Sequence, residues 1–214
     1  MPPVAHPSPR RTLSTLALLA ACTTSPSPPP PCTQDLLAIA RDYPSWPRVS
    51  DQANFAPTDC RIPPPAGVQR STSEHTATHG QKLYFLFARH PDHYRTGTDP
   101  SPTGQTLVKQ SFTAEPVAAD AVPHLPNPGP FGRTIPAEYR RDGDQTFRTG
   151  EPRELFVMHK YPPDTPDTDQ GWVYAVLSPD GTRVLAAGAL QTCMKCHTEA
   201  TTDRLFGMYR ERRR

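Results

Sequence analysis

The chain has 214 residues, 35% of them hydrophobic, with 29 prolines and a formal charge of +2. That length fits one domain with tails, and the low hydrophobic share makes the folded part shorter than the chain. A charge so near zero gives no case for nucleic-acid binding, and the terminal Arg210-Glu211-Arg212-Arg213-Arg214 reads as a solvated tail.

Residues 1–22 read as a secretory signal: Arg10-Arg11, an apolar run from Leu13 to Ala21, then Leu19-Ala20-Ala21-Cys22. The ending resembles a bacterial lipobox, whose cysteine becomes the lipidated first residue of the mature protein. An ordinary signal peptide cut nearby is the alternative. The apolar run, about nine residues, is too short to span a bilayer. Residues 23–32 form a Pro-rich tether that would hold a domain off a membrane. The expected location is therefore the bacterial cell envelope, lipid-anchored at Cys22, on the periplasmic side or the surface.

Next, Thr33 can cap a helix reaching about Asp42, with Leu36, Leu37, Ile39 and Ala40 as its apolar stripe and Pro44 ending it. Residues 50–72 carry too many prolines and small polar residues for regular structure. A short helical turn is expected near Ser73-Glu74-His75. Strands are predicted over Lys82–Ala88, Gln105–Phe112 and Glu154–Tyr161, and a hairpin over Gly171–Leu177 and Thr182–Ala187 around the turn Ser178-Pro179-Asp180-Gly181. Residues 116–150 stand out as a long Pro/Gly-rich insertion, of the kind that is either mobile or functional. His75 and His79 are four apart, as are two ligands on one helical face, but with no third ligand nearby they read as solvent-facing. The same applies to His90 and His93.

The chain closes on a helix from about Ala189 that carries Cys193-Met194-Lys195-Cys196-His197. Two thiols three positions apart project from nearly one side of a helix, and the next residue brings in an imidazole. Those groups suit one covalent haem c: the sulfurs add to its two vinyl groups and His197 becomes the axial iron ligand. A zinc knuckle would need a second Cys/His pair, and a redox dithiol a βαβ context; the sequence offers neither. Of five cysteines this leaves Cys32 and Cys60, which in an oxidising compartment are expected to form a disulfide.

With strands first and the haem motif last, the order differs from that of small helical cytochromes c. It resembles the cytochrome P-460 family and the related beta-type cytochromes c-prime. The matching features are the first helix, the Val108-Lys109 step, the strands Phe156-Val157-Met158-His159-Lys160 and Gly171-Trp172-Val173-Tyr174, and the closing Cys193-x-x-Cys196-His197 with Asp203-Arg204-Leu205-Phe206. The resemblance spans about residues 34–208 and makes residues 33–214 one haem domain. It implies an α+β fold, an antiparallel sheet of about five strands with flanking helices. It also implies a homodimer, one haem per chain and a distal iron face open to a small gaseous or nitrogenous ligand.

In the hydroxylamine-oxidising members a lysine is bonded to the porphyrin edge, and Lys109 matches it by position. Its alternative is an ordinary strand lysine. Glu115 and Glu154 are candidate proton acceptors for such an enzyme. The gas-binding relatives place apolar rings over the iron, a role for which Phe85, Phe87 and Phe112 are candidates. Met194 lies within the haem loop, Met208 follows closely and Met158 reads as core, so the iron is expected to be five-coordinate. Nitric oxide capture, hydroxylamine or peroxidase-like oxidation, and plain electron transfer to a redox partner protein all remain open at this point.

Overall fold

The computed structural model describes residues 33–56, 82–129, 132–200 and 202–206. The signal and tether, Cys22, the Cys32–Cys60 pair, His75, His79 and Met208 lie outside the described residues.

Among the described residues seven strands form one antiparallel sheet: β1 Asn54–Phe55, β2 Lys82–Ala88, β3 Thr106–Val117, β4 Tyr139–Asp142, β5 Gln145–Lys160, β6 Trp172–Leu177 and β7 Val184–Gly188. The order is β1-β2-β3-β5-β6-β7, with β4 also paired to β5. Three α-helices occur among the described residues: α1 Thr33–Asp42, α2 Pro91–Thr96 and α3 Gln191–His197. The fold is thus α+β, as the resemblance implies, with two strands more than the sequence suggests.

Much of the difference comes from residues 116–150. That segment is not all loop: β3 runs on to Val117, and β5 begins at Gln145, well before Glu154. The two strands pair to Val117↔Thr146, and β4 folds back on β5. Pro152 is tolerated because the ladder is already irregular there, with register shifts on either side of the Phe112↔Pro152 pair. Phe147 then anchors the ribbon, meeting Phe55 edge-on with ring centres 5.6 Å apart.

Alternation along the strands sorts the core into two layers. On one face α1 lays Leu36, Ile39 and Ala40 against Val108, Leu155, Val157, Val173, Ala175 and Leu177. On the other, Leu107, Trp172 and Tyr174 form a cluster with Tyr94 of α2 and with Leu205, and Leu190, Cys193 and Met194 pack onto it. The haem-motif helix therefore rests on the face opposite α1.

The β5–β6 connection turns through Gly171, whose φ is +89°. A Cβ there would lie 2.5 Å from the Tyr161 carbonyl oxygen. Gly171→Ala is expected to destabilise the protein by about 2–3 kcal/mol, combining a left-handed backbone with a backbone clash; a urea melt matching the parent would refute this. Among the described residues no helix is long and apolar enough to cross a membrane.

Candidate functional site

Helix α3 starts from Leu190, whose carbonyl accepts the N–H groups of Cys193 and Met194, both at 2.9 Å. Cys193 and Cys196 are both half-buried thiols outside any disulfide. Burial pushes the Cys193 thiol up, against smaller opposing effects of Thr192 and the Lys109 charge.

His197 is the best-defined group of the motif. Its Nδ1 lies 2.7 Å from the Arg204 carbonyl oxygen. A carbonyl only accepts, so Nδ1 carries the proton and Nε2 keeps its lone pair, the tautomer an iron ligand needs. Burial, the largest influence, holds the imidazole below its ordinary pKa, and the Lys109 charge acts in the same direction. The ring is flanked by Tyr174 at 5.3 Å and Phe206 at 5.0 Å between centres. Neutral imidazole, paired thiols and an apolar bed together fit a thioether-bound haem.

The Arg204 carbonyl is itself held firmly. Leu205 N–H donates to Thr202 O at 2.7 Å, closing a tight turn in which Asp203 (φ 39°) and Arg204 (φ 68°) are both left-handed. Each such non-glycine residue costs on the order of 1 kcal/mol or more. The turn persists because both side chains are pinned. Arg204 grips Asp169 with two bonds of 2.8 and 3.0 Å, and the Tyr174 hydroxyl donates to Asp169 at 2.9 Å. Asp203 accepts from Lys160 Nζ at 3.1 Å and from the Ser101 N–H at 2.8 Å. Burial pushes both carboxyls up, but the bonds they accept outweigh it and leave each below its usual pKa.

Register shows what neighbours this helix. Leu107, Met158, Tyr174 and Gly188 form one row across the sheet, and Met158 packs with the cluster under α3. The next row on the same face is Leu86, Lys109, Phe156, Val176 and Ala186, two residues or roughly 7 Å along each strand. Lys109 Nζ sits 4.5 Å from the centre of the Phe156 ring and 5.4 Å from that of Tyr84. Its charge acts on both Cys193 and His197, so Lys109 occupies the face that carries the motif.

Beside it stands Lys82, with a side chain only 2% exposed, bonded to Glu154 at 2.9 Å. Its Nζ lies 5.2 Å from the Phe156 ring centre. Burial raises the Glu154 carboxyl, yet the Lys82 bond and neighbouring charges leave it below its ordinary value. Glu154→Ala strands the Lys82 ammonium and is expected to cost about 3 kcal/mol, whereas Glu154→Leu combined with Lys82→Met recovers most of the loss. Denaturant midpoints that fall equally in both variants would contradict this.

Two groups of candidates lie apart from the motif. Phe85, Phe87 and Phe112 are not brought to His197, because alternation turns them to the α1 face. There Phe87 meets Tyr43 at 5.2 Å and Phe85 meets Phe112 at 6.1 Å. Glu115 is also remote: it pairs with Arg148 at 3.0 Å on the ribbon, six residues or roughly 20 Å along β3 from Lys109. His90 and His93 have ring centres 6.1 Å apart, and no group of three metal-ligating side chains occurs among the described residues. A cleft of about 470 Å³ opens on the α1 face, lined in part by Asp35, Trp46, Arg89, His159 and Tyr161, away from the motif. The residues missed in the sequence are Asp169, Tyr174, Lys82 and Phe156. Only strand alternation relative to Lys109 could have indicated the last two.

Compared with known proteins, residues 66–206 match the family model described as Cytochrome P460, more than half of the chain. No curated protein matches it.

Proposed function

The chain belongs to the cytochrome P460 family of haem-binding cytochromes, and on that footing we propose an extracytoplasmic cytochrome, lipid-anchored at Cys22. It carries one haem c on Cys193 and Cys196, with His197 as axial ligand, and captures nitric oxide or a related small ligand on the second haem face. The observation that carries this reading is the His197 imidazole, whose Nδ1 lies 2.7 Å from the Arg204 carbonyl and leaves Nε2 to face the iron. Bound haem iron supplies a ferrous centre for NO or CO, or a ferric one for electron-rich nitrogen compounds. Phe156 and the Lys109 stem lying on it offer an apolar wall, while Leu86, Met158 and Met194 pack in the cluster under α3. That engagement supports five-coordinate iron over an electron carrier with a sixth ligand. A homodimer and a redox partner protein belong to the same proposal.

One observation favours a second reading, hydroxylamine oxidation. Lys109 stands on the motif's own face, in the row next to it, as a lysine bonded to the porphyrin edge would require. In that enzyme Glu154, bonded to Lys82, rather than Glu115 would accept protons. The deciding measurement is the absorption spectrum of export-matured protein, oxidised, reduced and reduced under CO. An ordinary c-type Soret band that shifts with CO supports ligand capture. A far-red reduced band that disappears in Lys109→Arg supports the enzyme, and a reduced spectrum indifferent to CO overturns both in favour of electron transfer.

A further inference from the structure

The two left-handed residues at Asp203 and Arg204 sit where glycine would take the same backbone without strain. What glycine would not supply is the pair of anchors. Asp203 and Arg204 reach opposite-charged partners on different parts of the sheet, Lys160 at the end of β5 and Asp169 just before β6. All four side chains are at least four-fifths buried, with exposures of 7% and 4% for the first pair and 19% and 5% for the second. The arrangement fixes one atom in particular, the carbonyl oxygen of Arg204. Its peptide unit also donates through Leu205 N–H to Thr202 O at 2.7 Å, which polarises the carbonyl as an acceptor.

We infer that Asp169 is a positioning residue for the axial imidazole: by holding the Arg204 guanidinium it fixes the turn whose carbonyl orients His197 and sets the donor strength of Nε2 toward iron. Asp169 acts on two of the ring's three contacts, the Arg204 carbonyl and the Tyr174 ring, and not on Phe206. Its other partner is the Tyr174 hydroxyl, and the Tyr174 ring packs on His197. A carboxylate bonded straight to Nδ1–H would draw the proton away and give the imidazole much of the character of an imidazolate. Here the charge is one residue removed and already matched by a guanidinium, so the ring receives only the pull of a neutral but polarised carbonyl. The donor strength is thus intermediate and depends on the turn staying closed.

The inference rests on haem being carried at His197, so the unaltered export-matured protein is measured first; if it takes up no haem, the functional reading itself fails. Two variants follow, Arg204→Lys, which keeps a cation but loses the paired bonds, and the neutral Asp169→Asn/Arg204→Gln. Three quantities are read: the iron–imidazole stretching frequency of the ferrous form, the midpoint potential and the thermal midpoint. A slackened Nδ1–H bond weakens Nε2 as a donor, so the stretch falls and the potential rises, less in Arg204→Lys than in the double variant. A stretch and potential unchanged in both, whatever happens to the melting temperature, would reduce the cluster to a structural one and overturn the inference. If the double variant does not retain haem, Arg204→Lys alone decides in the same way.

Discussion

Replacing Cys193 and Cys196 together by alanine is expected to give an export-matured protein without covalent porphyrin: no Soret band after acid–acetone extraction and no added mass. The effect should be all or none, because in the proposed site each sulfur would contribute a bond to the cofactor that packing alone does not replace. Cys193 is half-buried on the cluster formed by Leu107, Trp172 and Tyr174, and alanine fits that bed, so the sheet itself should survive. Far-ultraviolet circular dichroism separates the two effects: strand signal kept and colour lost is the expected pair. A double variant that still holds acid-resistant haem would remove the chemical basis for every functional statement above.

The second large effect is expected at Trp172. Its side chain is fully buried, in a cluster with Leu107, Tyr174 and Leu205, and Lys160 Nζ lies 5.1 Å from its ring centre. Trp172→Ala should cost about 3–5 kcal/mol by opening a cavity under the haem helix. Because Lys160 also holds Asp203, the loss should spread to the turn behind His197, and haem uptake should fall along with stability. An equilibrium urea unfolding curve displaced by less than about 1 kcal/mol would mean that the space collapses without cost.

The Cys193-Met194-Lys195-Cys196-His197 stretch was legible because its chemistry is local: spacing along one helix is enough to state what the groups can hold. Strand positions were legible for a similar reason, since Lys82–Ala88 and Trp172–Leu177 are dense in aromatic and branched residues. What could not be read was which side of a strand faces the helix. Both faces of this sheet are covered, one by α1 and the other by α3, so Phe85 and Phe87 look the same in sequence as Tyr84 and Leu86. A shift of one position in that choice moves every aromatic candidate to the other side. The long β3–β5 ribbon was hidden differently, behind Pro116 and Pro152, which argue against strand until the irregular register is known. Asp169 had no signal at all, lying in a polar loop that gains meaning only once Arg204 folds back to meet it.

The chain contains nineteen arginines but only four lysines. Lys82, Lys109 and Lys160 each lie against an aromatic ring on the same side of the sheet, and the fourth, Lys195, is exposed within α3. Amine-directed acylation of side chains can therefore mark only that single surface and its helix. Exposed Lys195 is expected to react readily, while Lys82 and Lys160 are shielded, which makes Lys109 the informative amine for following cofactor insertion by peptide mass mapping.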